Sequence, residues 1–204
     1  MPSRNVVKVD IPNTFYHVYA RGHGKMEIYK DDHDYKVFLN LIKRYLNIEI
    51  TIDPTGQPYN NLHGKIELTC YCLMPNHFHM LLFQINEHAM SRLMRGVMTS
   101  YSRYFNNKYK LSGAVFETTY KASIISSDKY LMHISRYIHI NPINWSIYKY
   151  SSLPYYRGQQ PPKWVQPKRI INLFYSPDEY EAFLADYEDY KNMLAEIKYE
   201  LADG

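Results

Sequence analysis

Alternation of apolar and polar residues predicts four β-strands along the chain. Residues 14–20 alternate and indicate a first strand, and two β-rich runs at 66–73 and 77–84 surround a turn at Pro75-Asn76. Two such runs joined by a short turn predict a β-hairpin. Residues 115–125 supply the fourth strand.

Helical spacing of apolar residues predicts three helices between and after these strands. The first opens at Asp31 or Asp32, the second runs to about residue 108, and the third is capped by Asp128 and stopped by Pro142. The order β-α-β-β-α-β is that of a ferredoxin-like antiparallel sheet, so we predict an α+β fold with one added helix.

Toward the C-terminus the pattern weakens, which indicates a helical extension. Residues 150–170 are rich in Tyr, Pro and Gln and are predicted to be a segment that wraps around the domain or a linker, and an acidic helix opens at residues 176–179. We therefore divide the chain into a domain at residues 1–145 and an extension at residues 146–204.

Composition favours a globular protein, since 46% of the residues are hydrophobic and 22% are charged. No apolar run approaches the length of about 18 residues that a membrane span needs, and no signal segment is recognisable, so we expect a cytoplasmic protein. Cys70 and Cys72 alternate on one predicted strand and are expected to be two buried thiols rather than a disulfide or a metal site.

The net charge of +4 is unevenly distributed along the chain. Residues 178–204 contain nine acids and two lysines, which leaves 22 basic and 11 acidic residues before them, a net charge of +11. A basic body with an acidic tail either indicates a polyanionic partner or is a solvated surface with an acidic end helix.

His77 and His79 flank one apolar residue, Phe78, on a predicted strand. Because successive strand side chains point to opposite faces, the two imidazoles share a face and can hold one divalent cation. Two histidines and an amide oxygen would leave open positions on Mg²⁺ or Mn²⁺ for phosphate oxygens. Taken alone, such a pair is more often two ordinary histidines.

Tyr137 and Asn141 stand four residues apart on the last predicted helix, hence on one face. A tyrosine hydroxyl has an unperturbed pKa of about 10, and it becomes a useful nucleophile when a metal polarises the phosphate that it attacks. A helical tyrosine taken alone usually packs in the core. A His pair, a tyrosine and an amide together are the parts of a metal-assisted tyrosine nuclease.

Basic side chains are candidate contacts with phosphates. Arg92, Arg95 and Arg103 form a row on the second helix, which either follows a phosphate backbone or is an ordinary solvated face. Arg136 either meets DNA or pairs with an acid. His133, one turn before the candidate nucleophile, either faces the site or lies on the helix surface, and the surface is the expected place.

The chain resembles the HUH single-strand transposases: the small single-tyrosine insertion-sequence transposases and, more closely, their REP-associated relatives. The resemblance rests on the H-x-H motif of His77 and His79 and on the Tyr-Ile-x-x-Asn-Pro motif that begins at Tyr137. The stretches that match are residues 16–22, 31–35, 72–79, 101–106, 115–122, 136–142 and 150–152.

This resemblance implies a site and an activity. His77 and His79 would bind the divalent metal, Mg²⁺ or Mn²⁺. Asn141 would take the place of the family's third ligand, and Tyr137 would be the nucleophile. Members of the family bind a DNA hairpin and cut the adjoining single strand, which leaves a 5′-phosphotyrosine and a free 3′-hydroxyl.

The resemblance also suggests DNA contacts at the rim of the site. Arg21 follows the first strand, where the family has a basic loop, and Lys121 follows the matched Phe-Glu-Thr-Thr-Tyr stretch, so both are expected to contact DNA. Most relatives carry an arginine at the position of Thr119, so one expected phosphate contact is missing. Some relatives are dimers that exchange the tyrosine helix, and a homodimer is therefore one possible state.

Other classes of protein share parts of this pattern. A catalytically silent module that holds DNA hairpins would have the same fold, but the tyrosine, both histidines and the asparagine are all present. RNA-recognition modules share the β-α-β-β-α-β order, yet they carry stacking aromatic motifs that are absent here. Rolling-circle initiators and relaxases also use H-x-H and tyrosine, whereas a single tyrosine on a short helix after the H-x-H favours the transposase branch.

Overall fold

The computed structural model describes residues 10–186. An antiparallel sheet contains four strands in the order β2-β3-β1-β4, namely β1 (Thr14–Arg21), β2 (Ile66–Met74), β3 (His77–Gln84) and β4 (Lys121–Ile125). The helices are α1 (Asp32–Leu46), α2 (Ala89–Tyr109), α3 (Asp128–Ile140), α4 (Leu153–Tyr156), α5 (Lys168–Ile171) and α6 (Pro177–Ala185). The predicted α+β class and the β-α-β-β-α-β order are confirmed.

Helices cover both faces of the sheet. α1 and α2 pack on the face that carries Phe78 and Met80. α3 packs on the other face, in a cluster that includes Leu81. Because side chains alternate along a strand, His77 and His79 of the central strand β3 point toward α3.

The strand β4 is shorter than predicted and begins at Lys121 rather than at residue 115. Phe116 forms only an isolated bridge to Gly22, and its ring turns into the core against Phe78. Residues 117–120 therefore leave the ladder and form a loop beside the end of β1, which brings polar side chains to the face that α3 covers.

Side-chain caps fix where two of the helices begin. Asp31 caps α1 in a capping box with Asp34, as one of the two predicted alternatives. The prediction that Asp128 caps α3 is wrong by one residue: the Ser127 hydroxyl accepts a hydrogen bond from the Tyr130 N–H, and Asp128 is the first helical residue. A serine hydroxyl and a carboxylate are both good N-caps, which is why sequence alone did not separate them.

Asp34 is a completely buried carboxylate that ties α1 to α2. Burial raises the pKa of this carboxyl. Hydrogen bonds from Lys108, Tyr109 and Tyr104 and from the Lys30 N–H together outweigh burial and lower the pKa from its ordinary value to about 2. The charged form is therefore the form that the fold stabilises.

We expect Asp34→Asn to destabilise the protein at neutral pH by about 2 kcal/mol, because it removes the charge that these donors solvate. The pKa of Asp34 lies below its ordinary value of 3.8, so its contribution is complete above that pH and is lost as the pH falls from 3.8 toward 2. Urea unfolding at neutral pH and at about pH 3 measures both values. Asp178→Asn, at an exposed position on α6, is the control, and a deficit of equal size at both pH values would contradict a charge effect.

The C-terminal extension packs on the outer side of α3. Tyr180 joins the apolar cluster of that helix, and its hydroxyl lies 2.6 Å from Nδ1 of His139. The other nitrogen of His139 lies 2.8 Å from the Ser152 hydroxyl, so both nitrogens of His139 are engaged on the side of α3 that the extension covers. The buried free thiols of Cys70 and Cys72 belong to the same cluster, which confirms that prediction.

The predicted start of the acidic helix is confirmed, since α6 begins at Pro177 with Ser176 as its cap. The acidic residues beyond Asp186 lie outside the described residues, and the division of the chain at residue 145 stays a prediction. None of the helices within residues 10–186 is long and apolar enough to cross a membrane.

Candidate active site

Two histidines of β3 form one wall of a cavity between the sheet and α3. His77 and His79 both line this cavity of about 180 Å³, so they share a face as predicted. Their ring centroids are 5.2 Å apart, and their planes are nearly perpendicular at 89°. His79 is only 5% exposed, and His77 is half-buried nearer the opening.

The helix α3 brings the predicted nucleophile and amide to the same cavity. Tyr137 and Asn141 both line it, one helical turn apart. The ring centroid of Tyr137 lies 5.2 Å from that of His79, edge-on at 80°. The Asn141 side chain hydrogen-bonds His77. Asn141 is also the C-cap residue of α3, directly before Pro142. The structure therefore collects the four residues that the sequence singled out.

Burial keeps both imidazoles of the pair neutral. It lowers the pKa of His77 to about 4, assisted by the nearby positive charge of Arg21 and opposed by the hydrogen bond with Asn141. Burial also holds the pKa of His79 well below its ordinary range, with smaller contributions from His17 and His77. A neutral imidazole has a lone pair to offer, which is the protonation state that binds a cation.

One ring nitrogen of each histidine is occupied by a protein partner. Nδ1 of His77 lies 2.6 Å from Oδ1 of Asn76. Nδ1 of His79 lies 2.8 Å from Nε2 of His17. Nδ1 is thus engaged in both rings, and Nε2 is the nitrogen that would bind a cation, since metal-binding histidines usually hold their other ring nitrogen to a protein partner.

The donor set fits a hard or borderline divalent cation. Two imidazole nitrogens and the amide oxygen of Asn141 leave coordination positions for phosphate oxygens, as Mg²⁺ and Mn²⁺ require. Within residues 10–186, no group of three or more His, Cys, Asp or Glu side chains is arranged to hold a metal ion. Asn141 is the amide that lines the same cavity as His77 and His79.

The side chains that line the cavity carry a net positive charge. Arg21 and Lys121 both line it, as expected for phosphate contacts near the site. The loop before β4 adds Glu117 and Thr118 to the same rim. Neither was predicted, because the sequence pattern had placed that loop inside a strand.

Two more residues of β1 belong to the site and were not predicted. His17 is 1% exposed and touches His79, and Tyr19 lines the cavity with its ring 5.6 Å from His79. Their signal was present in the alternation of β1, which puts His17 and Tyr19 on one face. What the sequence did not show is the register that sets Tyr19 opposite His79.

The arginines of α2 are not brought to this cavity. Arg92, Arg95 and Arg103 are exposed on a helix that covers the opposite face of the sheet. Arg95 lines a second cavity of about 530 Å³, between α2 and the loop before β4, and that cavity shares only Thr118 with the first.

Arg136 is fully buried, which argues against the predicted contact with DNA. Its guanidinium donates to the carbonyl oxygens of Phe183 at 2.8 Å and Asp186 at 3.2 Å, and it lies 2.9 Å from Nδ1 of His133. The expectation that His133 lies on the helix surface is wrong, since it is only 6% exposed. Both side chains are covered because α6 packs on the outer side of α3.

Comparison with known proteins agrees with the geometry. Residues 60–141 match the family described as transposase IS200 like, and no curated protein matches the chain. A solved REP-associated tyrosine transposase bound to a REP hairpin is 17% identical, with a TM-score of 0.53 over 78% of this chain and 90% of that one. A putative transposase from Deinococcus radiodurans is 14% identical, with a TM-score of 0.39 over 68% of this chain and 95% of that one. Over residues 60–141 the chain is therefore similar to IS200-like transposases, in agreement with the resemblance that the sequence motifs indicate, and the solved REP-associated transposase shares its fold.

Proposed function

We propose that the protein is a metal-dependent single-stranded DNA transposase and endonuclease that cleaves and rejoins DNA beside a hairpin. The observation that carries this proposal is the position of Tyr137, whose ring lies 5.2 Å from His79 in the cavity that His77 and Asn141 also line. A nucleophile, three candidate metal ligands and a cationic rim meet at one site.

Tyr137 supplies the nucleophile for strand cleavage. Its hydroxyl oxygen attacks the phosphorus and loses its proton, the bond from phosphorus to the 3′-oxygen breaks, and that oxygen leaves as a 3′-hydroxyl after taking up a proton. The product is a 5′-phosphotyrosine link. Because this link keeps the energy of the broken diester, a 3′-hydroxyl can attack it and rejoin a strand without ATP.

His77, His79 and Asn141 are the residues that would hold the cation. When it is bound, the cation polarises the scissile phosphate and offsets the charge that develops on it. The chain's own contribution is to hold the tyrosine in place on a packed helix, next to a fixed strand, so that little ordering is needed when DNA arrives. Arg21 and Lys121 line the same cavity, and we propose that they contact phosphates of the bound strand.

The site is assembled from one chain, since β3 and α3 of the same copy form its two walls. Catalysis by a monomer therefore needs no exchange of the tyrosine helix, and the homodimer stays a prediction. The solved relative is bound to a REP hairpin, and we carry that substrate class over to this chain. A DNA substrate also fits the cytoplasmic location that the sequence predicts.

Cleavage of hairpin oligonucleotides tests this function. DNA hairpins with varied single-stranded flanks, labelled at one end, are incubated with the protein and Mg²⁺ or Mn²⁺, with EDTA in parallel samples. We expect cut strands in the samples with metal and none with EDTA. Tight hairpin binding without cleavage, across all flanks and both metals, would favour the silent binding module instead.

We expect Arg21→Gln and Lys121→Gln to weaken DNA binding and to make it less dependent on salt. Each phosphate contact that is lost should lower the slope of log affinity against log salt by about 0.7 to 0.9. Fluorescence anisotropy with a hairpin at several salt concentrations measures the slope. Lys43→Gln, exposed on α1 across the sheet, makes the same change of charge. Equal slopes for all three variants would contradict the proposed phosphate contacts of Arg21 and Lys121.

A further inference from the structure

His17 is a buried histidine that forms no wall of the cavity but touches one of its ligands. It lies on β1 with 1% of its surface exposed. Its Nε2 is 2.8 Å from Nδ1 of His79, and the two ring planes are within 22° of each other. Near-coplanar rings at this distance form a direct N–H···N hydrogen bond.

We propose that His17 is a positioning residue that fixes the tautomer and ring orientation of His79, so that Nε2 of His79 presents its lone pair to the cation. The inference rests on the proposed function, because it assigns a task to His17 within that metal site. It also assigns a direction to the hydrogen bond, in which His79 donates and His17 accepts.

The direction follows from counting protons. A neutral imidazole carries one N–H and one lone pair, and a hydrogen bond between two imidazoles needs one of each. If Nε2 of His79 binds a cation, the proton of His79 must sit on Nδ1. Nε2 of His17 must then be the acceptor, and the proton of His17 sits on its own Nδ1. The reverse direction would place a proton on the nitrogen that faces the cavity.

The sheet makes this contact rigid. Tyr19 of β1 pairs with His79 of β3, and His17 pairs with Leu81, so His17 and His79 are diagonal neighbours on one face. Both strands are central, with neighbours on either side. Neither ring can move far without disturbing the ladder, and His79 therefore meets the cation already oriented.

A neutral acceptor has a chemical consequence. Metal-binding histidines often donate to a carboxylate, which makes them more basic ligands. Here both partners are neutral, an imidazole for His79 and the Asn76 amide for His77. Neutral partners of this kind leave the two imidazoles less basic than carboxylate partners would.

The test compares His17→Gln with His17→Asn, two amides that differ by one methylene group. The Gln side chain reaches the position of the imidazole Nε2 and offers an oxygen acceptor there, whereas the Asn side chain falls short. We expect the Gln variant to keep Mn²⁺ affinity within a few-fold of the original protein. The Asn variant should lose about 10- to 100-fold, the usual effect of removing the partner of a metal ligand. Mn²⁺ titration followed by electron paramagnetic resonance measures this without DNA or activity.

A second readout uses the protein without metal. ¹⁵N chemical shifts of His79 report which ring nitrogen carries the proton. We expect Nδ1–H in the original protein and the Gln variant, and a shift toward Nε2–H in the Asn variant. Equal tautomers in both variants, or equal Mn²⁺ affinities, would overturn the assignment.

The same measurements separate this inference from the proposed function. If Mn²⁺ binding to the original protein does not depend on His77, the proposed metal site fails, whatever His17 does. If binding depends on His77 but the Gln and Asn variants behave alike, only the positioning role of His17 fails. Thermal unfolding of both variants shows that each is folded before its affinity is compared.

Discussion

Tyr137→Phe is expected to abolish the covalent protein–DNA adduct and to lower strand cleavage by on the order of 10³-fold or more, because it removes the attacking oxygen and nothing else. The ring remains to pack against His79, so the fold and the affinity for a DNA hairpin should be unchanged. A denaturing gel of protein mixed with labelled hairpin and Mn²⁺ shows the adduct as a shifted band. Anisotropy with the same hairpin measures binding.

A second tyrosine of the cavity makes this experiment discriminating. Tyr19 also lines the cavity, with its ring 5.6 Å from His79, and within residues 10–186 it is the other tyrosine of that lining. Tyr19→Phe should still form the adduct, and so should Tyr130→Phe, which makes the same change on α3 away from the cavity. If the adduct is lost in Tyr19→Phe and survives in Tyr137→Phe, Tyr19 is the nucleophile and Tyr137 is not.

His77→Ala is expected to remove metal binding and cleavage together. It deletes a direct ligand, and since removing only the partner of a ligand typically costs about 10- to 100-fold, the loss of Mn²⁺ affinity should exceed about 100-fold. The substitution lies at the opening of the cavity, where His77 is half-buried, so the fold should tolerate it. Calorimetric titration with Mn²⁺ and the cleavage assay give the two values.

The control for the histidine is His33→Ala, which removes an exposed imidazole on α1. It should bind Mn²⁺ and cleave DNA as the original protein does. Unchanged metal affinity in His77→Ala would contradict the metal site. Lost affinity with full cleavage would show that the cation is not needed for the chemistry.

The local patterns of the sequence predicted much of this site. Alternation along β3 placed His77 and His79 on one face of the sheet, and helical spacing placed Tyr137 and Asn141 on one face of α3. Each statement concerns residues within a few positions of each other, where backbone geometry decides which side chains are neighbours. The resemblance to a family then indicated that the two faces meet.

Contacts between distant segments could not be predicted in the same way. The contact of His17 with His79 depends on the register between β1 and β3, which alternation does not determine. The burial of Arg136 depends on α6, more than forty positions later in the chain, whose docking leaves no periodic signal near Arg136. The late start of β4, which leaves residues 117–120 in a loop, also depends on a contact between distant segments. The ring of Phe116 packs against Phe78, which lies far from it in sequence.

The most direct test of the account is to locate the tyrosine that becomes linked to DNA. The adduct formed with a hairpin oligonucleotide is treated with nuclease and trypsin, and the modified peptide is sequenced by mass spectrometry. Cleavage after Arg136 and Lys149 gives a peptide of residues 137–149 that also contains Tyr148, so fragment ions must separate the two. We predict a nucleotide joined through its 5′-phosphate to Tyr137. A modification on any other of the 22 tyrosines, or a linkage through a 3′-phosphate, would contradict it.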